Sequence, residues 1–210
     1  WKPSFRRLSP LYQLAFLLAF ERKLGRRSFW HPYIASLPSD IPCAWAVEDP
    51  DELAALIDLY PSQYGLEWLE GVKKIRRDML DSTSFLAAEF GAVLGGVTQD
   101  DLLWAVGMIR SRAFSGGMDV ALAPYIDLLN HSQGSACQSP LDYRGVQCAT
   151  ISASVDGEAV DLGQGKELTI DYRFGVSTID AEDLRAAPSP LLNLGFIPSE
   201  LLSMYRVEVE

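Results

Sequence analysis

The chain has 210 residues, 48 % of them apolar, and a formal net charge of −10. That length can bury a substantial core, and a mean hydropathy of +0.05 excludes an intrinsically disordered chain. The acidic balance excludes a general nucleic-acid binder, which needs a basic footprint, and suits cationic partners such as lysine-bearing proteins.

The first predicted element is a helix over Leu8–Leu24, opened by Ser9-Pro10 and closed by Gly25. Its apolar run, Leu11 to Phe20, is too short to span a bilayer and is flanked by Arg6, Arg7, Glu21, Arg22 and Lys23, so no membrane insertion is expected. The chain begins at Trp1 without a signal or transit peptide and is read as a mature or truncated fragment. An aromatic segment follows, Ser28-Phe-Trp-His-Pro-Tyr-Ile-Ala-Ser-Leu-Pro38. Asp49-Pro50-Asp51-Glu52 starts a short helix through Leu59, with acids at the positive end of its dipole.

Glu67–Met79 reads as an amphipathic helix with Leu69, Val72, Ile75 and Met79 on one face. Its basic run, Lys73, Lys74, Arg76 and Arg77, reads as a solvated face. Thr98-Gln-Asp-Asp101 is a near capping box that opens a helix through about Arg112, with Leu102, Ala105, Val106 and Ile109 as its apolar stripe. Beyond Gly116-Gly117 the signals change to short strands: Ala149–Val155, a weaker Glu158–Leu162, and Glu167–Tyr172 bounded by Gly163 and Gly165. Leu191–Pro198 closes the reading as an apolar turn or short helix. Cys43, Cys137 and Cys148 are widely spaced and include no C-x-x-C pair, so no metal site is expected and the count suits a reducing compartment.

Four segments stand out by order and spacing: Arg110-Ser-Arg-Ala-Phe114, Asp127-Leu-Leu-Asn-His-Ser132, Gly165-Lys-Glu-Leu-Thr-Ile-Asp-Tyr172 and Leu191-Leu-Asn-Leu-Gly-Phe196. Asp127, Asn130 and His131 end an apolar run, and His131 is one of only two histidines. In this combination the chain resembles the SET-domain protein methyltransferases, in the branch of Rubisco large-subunit methyltransferase and the actin-histidine methyltransferase. The resemblance implies an α+β fold in which residues 1–113 are a helical insert and residues 114–210 are the C-terminal half of the SET core. It implies S-adenosylmethionine as cofactor and a lysine, less readily a histidine, of a protein substrate as acceptor.

By the same resemblance, Asn130 and His131 hold the cofactor, with Ser111 and Arg112 beside it. Tyr172 is the catalytic tyrosine. Phe114, Asp127, Tyr143, Leu194 and Phe196 line the substrate channel. The chain departs from the family pattern in three places. Leu194 stands where tyrosine usually precedes Gly-Phe, Arg173-Phe174-Gly175 replaces a glycine directly after the tyrosine, and no glycine-rich strand occurs before Gly25. These departures leave a second expectation open, a catalytically silent scaffold or accessory subunit of a larger assembly such as the plastid RNA polymerase. The branch points to the chloroplast, with the cytoplasm or nucleus as the alternative.

Overall fold

The computed structural model describes residues 5–60, 64–116, 119–132, 135, 137–138, 141–144, 146–149, 152–155, 158–159, 165, 167–170, 172, 187–198 and 201. They fall into two compact units, Trp1–Ala121 with Ser177–Glu210, and Leu122–Val176.

The first unit is helical. Helix α1 (Pro10–Leu24) begins two residues later than predicted, because Ser9 precedes a proline and takes extended backbone, φ −60° and ψ 152°. A short α2 (His31–Ile34) follows in the aromatic segment. In α3 (Pro50–Asp58) the Asp49 carboxylate caps the helix by accepting from the N–H of Asp51 at 2.8 Å. Helix α4 (Gly65–Phe90) runs well past the expected end at Met79. Residues 80–90 hold no proline or glycine, and the stop comes at Gly91. Its buried face is Trp68, Val72, Thr83, Leu86 and Phe90, while Leu69, Ile75 and Met79 are half-buried. The basic run lies where a solvated face would: Lys73 pairs with Glu70 at 3.0 Å and Lys74 with Asp78 at 2.9 Å. Arg76 is the exception, reaching Glu48 at 2.9 Å and the carbonyl of Ala46 at 3.1 Å.

Helix α5 (Gln99–Arg112) is the centre of this unit, packed by α1 and α4. The expected stripe of Leu102, Ala105, Val106 and Ile109 is buried, but so are Trp104, Gly107 and Met108. A helix surrounded on most sides needs no polar face, which is why the stripe underestimates its burial. Gly107 is part of this packing, since a Cβ there would come within 2.3 Å of Ile41 Cγ2. Phe5, Phe16 and Phe90 meet edge to face at 5.6–5.9 Å and close the core at one side. The Arg22 guanidinium lies 3.9 Å from the Trp104 ring, whose indole N–H donates to the Pro38 carbonyl at 2.9 Å. A hairpin of β1 (Phe114–Gly116) and β2 (Asp119–Ala121) follows α5. Helix α6 (Ser189–Leu194) packs against α5 where the apolar closing turn was expected.

The second unit carries short strands. Strand β3 (Asn130–His131) pairs in parallel with β9 (Thr169–Ile170). Strands β4 (Cys137–Gln138), β7 (Ser152–Val155) and β8 (Glu158–Ala159) form one antiparallel sheet. Strands β5 (Leu141–Arg144) and β6 (Val146–Ala149) form a separate antiparallel pair. The strand expected over Ala149–Val155 is therefore two, because Ala149 pairs with Leu141 and Ala153 with Cys137. Of the strand expected over Glu167–Tyr172, the described residues that pair are Thr169 and Ile170, opposite Asn130 and His131. Gly163, Lys166, Asp171 and Arg173-Phe174-Gly175 lie outside the described residues.

The start of α5 is set by a reciprocal capping box. Thr98 Oγ1 accepts from the Asp101 N–H at 3.3 Å, and Asp101 Oδ2 accepts from the Thr98 N–H at 2.9 Å and pairs with Lys23 of α1 at 3.1 Å. Burial raises the Asp101 pKa, but the Thr98 N–H and hydroxyl and the Lys23 ammonium outweigh it and hold the carboxyl below its ordinary value. A lowered folded pKa means stability that is present above the unfolded carboxylate value and lost as pH falls through the folded one. Asp101→Asn is therefore expected to lower stability by about 1 kcal/mol at neutral pH. In urea titrations that gap from wild type should close as pH drops below about 4.

Candidate active site

The segment before β3 is a chain of tight turns. The Ala123 carbonyl accepts from the N–H groups of both Ile126 and Asp127 at 3.0 Å, and the N–H of Leu129 reaches the carbonyl of Ile126 at 3.1 Å. This winds Ile126–Leu128 into one 3-10 turn and buries Asp127 to 5 % exposure. The chain then straightens into β3. A parallel pair needs a long crossover, and residues 132–168 supply it. The register sets Asn130 opposite Thr169 and His131 opposite Ile170, so the second and third motif segments lie side by side.

Side chains hold this short ladder. The Tyr172 N–H donates to His131 Nδ1 at 3.1 Å, and the Tyr172 hydroxyl donates to the Leu129 carbonyl at 2.7 Å. The two rings lie 5.2 Å apart at a tilt of 44°. Asn130 Nδ2 donates to Glu167 Oε1 at 2.6 Å, and Ser135 Oγ donates to the Thr169 carbonyl at 2.6 Å. Two chemical states follow. His131 accepts at Nδ1, so a neutral ring carries its proton on Nε2. Tyr172 commits its hydroxyl proton to Leu129, so toward any other group its oxygen is an acceptor.

The first and fourth motif segments meet in the helical unit. Arg110 Nε donates to Asn193 Oδ1 at 2.8 Å, Asn193 Nδ2 donates to Ser189 Oγ at 3.0 Å, and the Cys43 thiol donates to the Asn193 carbonyl at 3.1 Å. Burial pushes the Cys43 pKa up to about 12, against the opposing pull of Arg110 and the Trp45 indole. Ser111 Oγ donates back to the Gly107 carbonyl at 2.9 Å within its own helix. Arg112, Phe114 and Leu194 are half-buried, and Phe196 is 40 % exposed. Tyr143 lies in β5 opposite Gln147, and its side chain is outside the described residues. Among the described residues no cluster of His, Cys, Asp and Glu is arranged to hold a metal ion.

Three residues with a clear structural part had no role in the sequence reading, although all sit inside its motifs: Glu167, Arg110 and Asn193. Their signal is hydrogen-bonding capacity within an otherwise apolar motif, but their partners lie 37 and 83 residues away.

No family model matches the chain. It is 34 % identical over 149 residues to SET domain-containing protein 4 of Homo sapiens, covering 63 % of this chain and 32 % of that protein. It is 31 % identical over 130 residues to the chloroplastic [fructose-bisphosphate aldolase]-lysine N-methyltransferase of Arabidopsis thaliana, covering 60 % and 26 %. The chloroplastic Rubisco large-subunit N-methyltransferase of Pisum sativum is 30 % identical over 127 residues, covering 58 % and 25 %. Over these stretches the chain is similar to SET-domain protein methyltransferases. Its fold is similar to that of Rubisco LSMT solved with AdoMet, at a TM-score of 0.64 and 25 % identity over 92 % of this chain and 41 % of that one. The same family member has been solved with lysine and AdoHcy, also at a TM-score of 0.64. The chain spans about a third or less of the length of the curated relatives it matches. Among the described residues no helix is long and apolar enough to cross a membrane.

The turn after α6 admits only glycine. Gly195 has φ +77°, and a Cβ on it would stand 2.5 Å from the Pro42 carbonyl oxygen. Gly195→Ala is expected to cost about 2 kcal/mol or more, read as a lower urea midpoint, because strain and clash act at the same atom.

Proposed function

We propose that this chain is part of an S-adenosylmethionine-dependent protein N-methyltransferase acting on lysine, and less readily on histidine. In this reading residues 1–113 are the helical insert and residues 114–210 the C-terminal half of the SET core. The observation that carries it is the Tyr172 hydroxyl held on the Leu129 carbonyl beside the paired strands of Asn130 and His131. The roles expected for Ser111, Arg112, Phe114, Asp127, Tyr143, Leu194 and Phe196 are part of the proposal. In line with its two chloroplastic relatives, the proposed compartment is the chloroplast.

The donor set of this segment fits the cofactor's amino-acid end. Asn130 uses Nδ2 on Glu167, and its carbonyl oxygen is an acceptor for an ammonium group. When bound, S-adenosylmethionine supplies a methyl group made electrophilic by its sulfonium. What this chain adds is position. The Tyr172 oxygen would accept from an N–H of the incoming neutral amine, and the Leu129 bond prevents its rotation away. The His131 ring keeps the Tyr172 backbone in place. The net charge of −10 attracts a lysine-bearing protein before any contact forms.

A second reading, a catalytically silent subunit of a larger assembly, rests on Leu194, whose side chain offers no hydroxyl.

Isothermal titration of the intact protein with S-adenosylhomocysteine separates the two readings. Micromolar binding is expected, and a folded protein that takes up none at millimolar ligand selects the silent subunit. With chloroplast aldolase and the Rubisco large subunit as acceptor probes, Tyr172→Phe is expected to lower kcat about 100-fold. Its S-adenosylhomocysteine affinity should stay within threefold of wild type. Glu167→Ala, by releasing Asn130, is expected to weaken that affinity by about five- to tenfold.

A further inference from the structure

Tyr125 is the one non-glycine residue with positive φ among the described residues, at φ 73° and ψ −38°. Ala123 accepts from the N–H of Ile126 at 3.0 Å, so Ala123-Pro124-Tyr125-Ile126 closes a β-turn. Proline at the second position and positive φ at the third are the marks of a type II turn, whose third position calls for glycine or asparagine. A tyrosine there is strained, and glycine would relieve the strain. Burial does not compensate it, because Tyr125 is 72 % exposed. The turn feeds directly into Asp127, Leu129, Asn130 and His131. A strained backbone thus holds an aromatic ring in solvent, two residues from a buried carboxyl and four from the carbonyl that fixes Tyr172.

We infer that Tyr125 is a specificity-determining residue that recognises a cationic side chain, arginine or lysine, flanking the methylated lysine of the substrate protein. This rests on the methyltransferase reading above. The ring face attracts a cation, and an exposed site of this kind discriminates by a factor of a few. The composition of its segment favours the same sign of partner, since residues 122–176 contain seven acidic and three basic residues. Tyrosine is also suited to the task, offering a large rigid contact with few torsions to freeze.

The test uses the intact protein, radiolabelled S-adenosylmethionine and a positional library of nine-residue peptides with a fixed central lysine. Wild type and Tyr125→Phe are expected to prefer arginine over alanine at one flanking position by about three- to fivefold. Tyr125→Gly should lose that preference while its thermal midpoint rises by about 2–4 °C, because the strain is gone. A flat wild-type profile, a preference retained in Tyr125→Gly, or a lower midpoint in that variant overturns the inference and leaves the methyltransferase reading standing. Wild-type protein that labels no peptide and binds no S-adenosylhomocysteine overturns that reading, and the inference with it.

Discussion

Among the described residues, the candidate site depends on a parallel ladder of two residue pairs. A pairing that short is not stable by its own backbone bonds. It persists because Tyr172 binds across it twice, once through its N–H to His131 and once through its hydroxyl to Leu129, while Glu167 holds Asn130 and Ser135 holds Thr169. The residues expected to do chemistry are therefore the residues that hold the site together. Few of them can change without moving the others, because each hydrogen bond spans more than thirty residues of intervening chain.

The helical unit is organised by a different constraint, the burial of α5 on most of its sides. Its N-terminus is set by the Thr98–Asp101 box and the Lys23 pair, and its C-terminal turn by the Arg110–Asn193 bond to α6. Gly107 and Gly195 permit close approach at the two places where Ile41 and Pro42 pass. Asn193 connects three parts of this packing, through its side chain to Arg110 and Ser189 and through its carbonyl to Cys43.

The starts of α3 and α5 were legible because their signals are local, Asp49-Pro50 and Thr98 with Asp101, whereas α1 starts at Pro10, two residues after the expected Leu8. The full length of α4 was not, because residues 80–90 mix exposed Phe85 with buried Thr83, which blurs the helical period. Strand extents were less legible, because β-branched residues favour extension without specifying a partner, as at Thr169–Ile170. Of the site, Asn130, His131 and Tyr172 were legible as a set from motif order. The bonds among them were not, since the register of a parallel pair forty residues apart leaves no local trace. The strain at Tyr125 was equally hidden, because Pro-Tyr is an unremarkable dipeptide until its φ is known.

The Cys43 thiol, 2 % exposed and with its pKa pushed up to about 12, stays protonated at every physiological pH. Thiolate is the reactive form, so oxidants and alkylating reagents pass it by while α5 and α6 remain closed over it. Its modification becomes a measure of how often the α5–α6 contact opens, a local breathing frequency of the helical unit.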